Sequence, residues 1–201
     1  MSNISLKSPV GVNGRGRIGK LLVWMLSGRK EQEQIVISTG REIGKSLEDL
    51  ATYLAYDSTY GGYDKFLFGF QSGKRVEIKG NNIYLNGVKI VWVNDPKCRV
   101  AGNIPWADNG VELVFETTGK ITDPTSNDEN SLRGHIRSAK KVVLTAPFKI
   151  KNKGAAMPDD AVTVVGGINF DKYDSSKHNL ISNASCTTNC CAPAIKALVD
   201  H

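Results

Sequence analysis

The residues best suited to chemistry in this chain are a cysteine and the small hydroxyl residues beside it, Ser185, Cys186 and Thr187. They stand directly before a segment whose sequence is typical of a helix. A thiol at a helix N-terminus feels the positive end of the helix dipole and nearby free N–H groups, which favour thiolate over thiol. Because thiolate is the nucleophilic form, Cys186 is predicted to be a catalytic nucleophile.

Because of Pro193, the sequence allows two possible first residues for that helix. Proline fits the first turn of a helix, but in the interior it costs about 3 kcal/mol or more. A start at Thr187 places Pro193 beyond the first turn and requires a kink. A start near Cys191 removes this difficulty but weakens the dipole argument for Cys186.

A second candidate site is the glycine-rich turn Asn13-Gly14-Arg15-Gly16-Arg17-Ile18-Gly19. It follows a short apolar strand around Val10 and Val12 and precedes an amphipathic helix. In such a unit, a G-x-G-x-x-G sequence allows a tight turn and the close approach of a pyrophosphate to the helix N-terminus. Dinucleotide binding is therefore predicted. The buried stripe of the helix is predicted to be Ile18, Leu21, Leu22, Met25 and Leu26.

The end of the next strand, Gln34 to Ser38, bears on which dinucleotide binds. A carboxylate about 20 residues after the glycines usually binds the adenosine ribose 2′-hydroxyl. Here the chain reads Thr39-Gly40-Arg41, with no acid until Glu42. The missing carboxylate removes the repulsion of a 2′-phosphate, and Arg41 can either pair with one or point into water. NAD is predicted as the cofactor, and NADP stays open as the alternative.

Later apolar strands end in small polar residues. Val111 to Glu116 leads into Thr117-Thr118-Gly119, and the strand from Lys141 ends at Thr145. Ligands of open α/β sheets bind at the carboxyl ends of strands, so these residues are candidates to contact the cofactor. The alternating pattern from Lys74 to Val93 predicts an antiparallel meander that serves as scaffold.

Composition favours an ordinary soluble protein, with 40% hydrophobic and 23% charged residues. No apolar run approaches the ~18–20 residues that cross a membrane, and the N-terminus lacks an apolar signal segment, so we expect a cytoplasmic protein without membrane contact. The net charge of +6 comes from scattered lysines and arginines and suits anionic ligands such as phosphates. Without aromatic–basic interleaving, no specific nucleic-acid partner is expected.

The cysteines indicate reduced thiols, because three of the four lie within six residues, at 186, 190 and 191. No metal site is predicted, since paired C-x-x-C units are missing and the nearest histidine is His178. We expect His178 to be an exposed loop residue and not the catalytic base. Cys190 and Cys191 are expected to pack on a buried helix face.

Four runs of residues carry a family resemblance: Gly11–Gly19, Tyr56–Gly61, Glu116–Gly119 and Ser182–Pro193. Together, in this order, they resemble phosphorylating glyceraldehyde-3-phosphate dehydrogenase over nearly the whole chain. The most specific run is Ser-Asn-Ala-Ser-Cys-Thr-Thr-Asn-Cys. The resemblance also favours the earlier start of the helix after Cys186.

The resemblance implies that Cys186 attacks a phosphorylated aldehyde to form a thiohemiacetal, and that hydride then passes to NAD(P)+. Inorganic phosphate would cleave the resulting thioester to an acyl phosphate. Ser185 and Thr187, with the Cys186 N–H, would hold the oxyanion or the phosphate, and the full-length enzyme would be a homotetramer. With the residues argued above, the predicted cofactor site comprises Asn13, Gly14, Gly16, Arg17, Ile18, Gly19, Thr39, Gly40, Arg41, Thr118, Gly119 and Thr145.

The expected fold is a Rossmann-type α/β domain, a mostly parallel sheet with helices on both faces, over residues 1–182. Residues 183–201 would be the nucleophile turn and first helix of a catalytic domain. The family's histidine base and phosphate-site arginine lie beyond His201, so we expect this chain to bind cofactor weakly and turn over little. Two alternatives stay open: a non-catalytic nucleotide-binding module, and a paralogue that acts on erythrose 4-phosphate.

Overall fold

The computed structural model describes residues 7–39, 43–71, 73, 75–152 and 154–200. The strands are β1 (Val10–Asn13), β2 (Gln34–Ser38), β3 (Tyr56–Asp57), β4 (Gly61–Gly62), β5 (Val76–Lys79), β6 (Asn82–Leu85), β7 (Val88–Val93), β8 (Leu113–Glu116), β9 (Lys141–Leu144), β10 (Ala161–Thr163) and β11 (Leu180–Ser182). The α-helices are α1 (Arg17–Arg29), α2 (Leu47–Ala55), α3 (Tyr63–Phe68), α4 (Leu132–Ile136) and α5 (Cys186–Asp200). Of these helices, none is long and apolar enough to span a membrane, a finding limited to the described residues.

The centre of the molecule is a nine-stranded sheet in the order β10-β11-β9-β8-β1-β2-β7-β6-β5. The strands from β10 to β7 pair in parallel, whereas β7, β6 and β5 form the predicted antiparallel meander. This is the predicted Rossmann-type α/β fold. The meander adds its last strand, β7, directly to β2, so it extends the nucleotide-binding sheet instead of standing apart from it.

The carboxyl ends of the central parallel strands lie in register. Asn13 pairs with Glu116, Glu116 with Leu144, and Leu144 with Ser182. Neighbouring strands lie about 4.8 Å apart, so Asn13 and Ser182 are about 15 Å apart along this edge. The glycine-rich turn and the segment leading to Cys186 therefore leave the same edge of the sheet.

Both faces of the sheet are buried, as the short apolar strand sequences predict. On one face, Trp24, Leu50 and Leu54 pack in a cluster with residues of β1 and β2. On the other face, Trp106 and Leu132 pack in a cluster with residues of β8, β9 and β11. These two clusters pack the parallel strands on both faces and so fix the strand ends from which the loops at one edge leave.

The predicted buried stripe of α1 is wrong at two of its five positions, whereas Leu21, Leu22 and Leu26 are partly buried and pack against the core. Ile18 and Met25 are 55% and 46% exposed, and the buried residues of the helix are Gly19, Lys20, Val23, Trp24 and Ser27. The reason is that Trp24 Nε1 donates to the Leu54 carbonyl over 2.7 Å, which turns the indole inward. Periodicity alone does not reveal such a partner 30 residues away.

Helix α5 begins at Cys186, which confirms the earlier of the two predicted starts, with Pro193 inside the helix. The expected burial of Cys190 and Cys191 is wrong, since both are exposed. None of the residues in α5 is buried, so within the described chain no element covers a face of this helix.

Candidate cofactor and nucleophile site

A cleft of about 630 Å³ opens at the carboxyl end of β1. It lies where β2 and β8 flank β1 on opposite sides, which is the switch point at which open α/β sheets bind ligands. Five residues of the predicted cofactor site line this cleft: Asn13, Gly14, Gly16, Thr39 and Thr118.

Two glycines of the turn are required by the protein itself. Gly14 has a φ of +119°, and a Cβ there would lie 2.5 Å from Thr117 Oγ1. A Cβ on Gly19 would lie 2.6 Å from the Gly14 carbonyl oxygen. These glycines allow the tight turn and the close packing of α1 against it.

Gly16 is different, because a Cβ built there meets no atom within 4 Å. Its φ of −72° suits any residue. As the N-cap of α1, Gly16 has no side chain to satisfy the first N–H groups of the helix. Open space and unsatisfied N–H groups at a helix N-terminus fit a bound pyrophosphate.

The other predicted cofactor residues lie around the cleft without lining it. Arg17 and Ile18 begin α1, where Arg17 Nε lies 3.4 Å from Asp57 Oδ1 and Ile18 is mostly exposed. Gly119 has a φ of +67° in the turn after β8. The predictions for Gly40 and Arg41 fall outside the described residues.

Glu116, which the sequence reasoning did not single out, joins three of the predicted cofactor residues. Its Oε2 accepts Asn13 Nδ2 over 2.6 Å, and its Oε1 accepts the Thr118 N–H over 2.7 Å as well as the Thr118 hydroxyl. Its backbone carbonyl accepts the Thr145 N–H over 3.1 Å and the Thr145 hydroxyl over 3.2 Å. The glutamate itself is fully buried.

The cleft also has lining residues that sequence reasoning did not assign to the cofactor site. Arg15, Arg99 and Lys120 line it, and none of the described residues that line it is acidic. Lys120 directly follows Thr118 and Gly119, so the sequence already places it in the turn after a predicted strand. Arg99 ends a short 3₁₀ helix, Pro96–Arg99, in a segment without any motif. The positive lining suits an anionic ligand.

Cys186 is a free thiol, exposed at the first position of α5. Ser185 Oγ accepts the Thr188 N–H over 3.0 Å, which makes Ser185 the cap of this helix. Before it, Ala184 is buried with a φ of 56°, a left-handed conformation that is uncommon for alanine. Its N–H donates to Ser182 Oγ over 3.1 Å. The turn thus holds Cys186 at the start of a 15-residue helix.

The predicted hydroxyl ligands lie together beside the thiol. Ser185 Oγ is 2.9 Å from Thr187 Oγ1 and 2.7 Å from Thr188 Oγ1. Asn189 Nδ2 donates to the Asn183 carbonyl over 2.7 Å and to the Ser185 carbonyl over 3.0 Å. These bonds close the turn, so the hydroxyl cluster has a fixed position relative to Cys186.

The predicted exposure of His178 is wrong. The residue is only 9% exposed, because Nδ1 accepts the Asp174 N–H over 2.9 Å and the ring stacks on Tyr173. It lies before β11, at the amino end of the strand, whereas Cys186 follows the carboxyl end. The expectation that His178 is not the base is therefore consistent with its position.

The sheet, the glycine turn and the cleft define a Rossmann-type dinucleotide-binding domain, continued by a helix with an exposed thiol at its start. Residues 8–124 match the family described as glyceraldehyde 3-phosphate dehydrogenase, NAD binding domain. The chain belongs to this family, and its cofactor is NAD.

Bacterial relatives extend the similarity to nearly the whole chain. Glyceraldehyde-3-phosphate dehydrogenase 2 of Bacillus subtilis is 37% identical over 196 residues, 96% of this chain and 48% of that protein. The glyceraldehyde-3-phosphate dehydrogenase of Salmonella typhimurium is 37% identical over 194 residues, 96% of this chain and 49% of that protein. The Geobacillus stearothermophilus protein of the same name is 35% identical over 191 residues. The chain spans about half the length of these relatives.

Proposed function

We propose that this chain is the NAD-binding part, with the nucleophile, of a phosphorylating glyceraldehyde-3-phosphate dehydrogenase. Residues 1–182 would form the nucleotide domain, and residues 183–201 would begin the catalytic part. The homotetramer and the substrate, glyceraldehyde 3-phosphate or alternatively erythrose 4-phosphate, stay predictions from the resemblance. The cytoplasmic location stays a prediction from composition and the N-terminal sequence.

The observation that carries the proposal is the placement of Cys186. Its thiol is exposed at the N-terminus of α5, beside the N–H groups of the first helical turn. The turn before it leaves the same sheet edge as the cofactor cleft, because Asn13, Glu116 and Ser182 belong to one row of strand ends.

In the proposed reaction, the thiolate of Cys186 forms a bond to the aldehyde carbon, and the carbonyl oxygen becomes an oxyanion. The Cys186 N–H and the Thr187 hydroxyl would steady this oxyanion or the attacking phosphate. When bound, NAD+ supplies the hydride acceptor that oxidises the thiohemiacetal to a thioester. A phosphate oxygen then attacks the thioester carbon, and the thiolate leaves, which yields the acyl phosphate and restores Cys186.

In the cofactor cleft, the N–H groups at the start of α1 would bind the pyrophosphate beside Gly16, with Arg15 supplying positive charge. Asn13 and Thr118 would contact the nucleotide from the ends of β1 and β8. These contacts orient the cofactor along the edge that leads to Cys186.

Thiol labelling tests the proposal. The chain is treated with limiting iodoacetamide at pH 7, and the modified cysteines are mapped by mass spectrometry. Cys190 and Cys191 are matched controls, because they are exposed on the same helix. We expect Cys186 to be labelled at least tenfold faster than either, since only Cys186 lies in the first turn of α5. Equal labelling of the three would contradict the proposal and favour the non-catalytic nucleotide-binding module.

A further inference from the structure

A buried polar network lies beneath the cofactor cleft and connects residues of four segments. Glu116 and His135 are both 0% exposed, with Glu116 Oε2 3.0 Å from His135 Nε2. On the other side of the imidazole, Trp106 Nε1 donates to His135 Nδ1 over 3.0 Å. Asn13 and Thr118, which line the cleft, bond to the same carboxylate.

The chemistry of Trp106 fixes the protonation of this network. An indole N–H can only donate, so Nδ1 of His135 must be an acceptor without a proton. His135 is therefore neutral, with its proton on Nε2, and donates to Glu116. The tautomer is set by a hydrogen bond on the far side of the ring, as in other oriented histidines.

The carboxylate of Glu116 is then surrounded by donors only. Besides the His135 Nε2–H, it accepts the Asn13 amide, the Thr118 N–H and the Thr118 hydroxyl. A group that accepts from every neighbour is an ionised carboxylate, and these bonds compensate the burial of its charge. The Nδ2 group of Asn13 donates to Glu116. The other polar atom of the same amide is Oδ1, which can only accept a hydrogen bond.

We propose that Glu116 is the positioning residue of the cofactor cleft, holding the lining residues Asn13 and Thr118 in place through an ionised carboxylate that His135 orients. Asn13 then presents its amide oxygen as an acceptor for a hydroxyl group of the bound dinucleotide, a ribose hydroxyl being the donor available beside the pyrophosphate. This inference rests on the proposed assignment of the cleft to NAD.

Substitutions at Glu116 test the role through NAD affinity. Glu116→Gln keeps the shape but turns one acceptor oxygen into a donor that faces other donors. We expect the Kd for NAD, measured by calorimetry at pH 7 on folded protein, to rise about tenfold, since bonds to a charged group are lost. Ser27→Ala is the control, because Ser27 is equally buried at the far end of α1 and its hydroxyl bonds to the Trp24 carbonyl and to Tyr63, away from the cleft. Its Kd should stay within twofold of the unsubstituted chain.

Substitutions at His135 separate positioning from packing. Gln at this position can donate to Glu116 and accept from Trp106, whereas Leu fills space without either bond. We expect His135→Gln to keep the Kd for NAD within about threefold and His135→Leu to raise it about tenfold. Equal affinities for the two variants would overturn the proposal.

A measurement on the unsubstituted chain covers the case in which a variant does not fold. Nitrogen-15 NMR of the imidazole should show His135 protonated at Nε2 only, with a resonance that shifts when NAD is added. A proton on Nδ1, or a resonance that saturating NAD leaves unchanged, would overturn the inference. A chain that binds no NAD would refute the proposed function itself, whereas tight binding by Glu116→Gln would refute only the role of Glu116.

Discussion

Lys20 Nζ lies 3.3 Å from Asp57 Oδ2, and the two side chains are only 9% and 7% exposed. The ammonium group also donates to the Tyr56 carbonyl over 2.7 Å. Bonds from the Thr59 and Tyr60 N–H groups, together with Lys20, hold the pKa of Asp57 below its ordinary value. The pair thus fastens the helix of the glycine turn to the short β3–β4 hairpin.

Removing the lysine should destabilise the chain clearly. Lys20→Met leaves the buried Asp57 carboxylate without its closest cation, which is far more costly than losing an exposed pair. We expect the Tm to fall by several degrees, measured by circular dichroism at pH 7. Arg17→Met is the matched control, because Arg17 contacts the same carboxylate but its side chain is 51% exposed. An equal or larger loss for Arg17→Met would contradict this ranking.

The glycine turn offers a test that separates folding from cofactor binding. Gly16→Ala should leave the Tm within about 2 °C, because the new methyl group meets no protein atom and the backbone conformation suits alanine. It should raise the Kd for NAD about tenfold, since the methyl group occupies the space proposed for the pyrophosphate.

Gly19→Ala is the control for Gly16→Ala, because it should disturb folding. Its Cβ would lie 2.6 Å from the Gly14 carbonyl oxygen, so α1 must shift away from the turn. We expect a loss of about 1–3 kcal/mol in the free energy of unfolding, typical of overpacking. Normal NAD affinity in a folded Gly16→Ala variant would count against pyrophosphate binding at this turn.

Local patterns were enough to predict the sheet class and the glycine turn, whereas the start of α5 was favoured only by the family resemblance. The first two depend on residues adjacent in sequence, such as the apolar strand before Gly14. Glu116 escaped notice because an acid that ends a strand looks like a solvated residue. Its meaning appears only when Asn13, His135 and Thr118 converge on it in space. The burial of Trp24 on α1 was missed for the same reason, since its indole turns toward the distant Leu54 carbonyl.

Acid should weaken the fold partly through Asp160. Arg133 donates to both carboxylate oxygens of Asp160, over 3.0 and 2.8 Å, and holds the pKa of the carboxyl below its ordinary value. Because the pKa of Asp160 is lower in the folded state, its ionised carboxylate stabilises the fold at any pH above about 3.9, the pKa of an aspartate in the unfolded chain. That contribution is lost as pH falls through the lower, folded-state pKa.

Asp160→Asn should therefore lower the free energy of unfolding by roughly 1–2 kcal/mol at pH 7. It should also make the fall in the free energy of unfolding between about pH 5 and pH 2 less steep, as measured by urea unfolding at each pH. Asp159→Asn is the matched control, because Asp159 is exposed and forms no ion pair with the described residues. A pH dependence in Asp160→Asn as steep as in the unsubstituted chain would exclude this contribution.

The choice between NAD and NADP can be tested at Gly40. A carboxylate at the end of the second strand binds the ribose 2′-hydroxyl and repels a 2′-phosphate. We expect Gly40→Asp to raise the ratio of the Kd for NADP to the Kd for NAD at least tenfold, measured by calorimetry at pH 7. Arg41→Ala should raise the same ratio if Arg41 pairs with the phosphate. An unchanged ratio in both variants would exclude this strand end as the discriminating element.

Turnover by the 201-residue chain should be slow. Of the histidines in the described ranges, His135 is locked in the core and His178 lies at the amino end of β11, so neither serves Cys186 as a base. General base catalysis contributes about 10²–10⁴-fold, so we expect phosphate-dependent NAD+ reduction to be at least 100-fold slower than by a full-length relative that shows this activity in the same assay. Cys186→Ser should abolish the residual rate, and His178→Asn, which retains an acceptor for the Asp174 N–H, should leave it unchanged. A rate within tenfold of the relative would show that described residues suffice to activate the thiol.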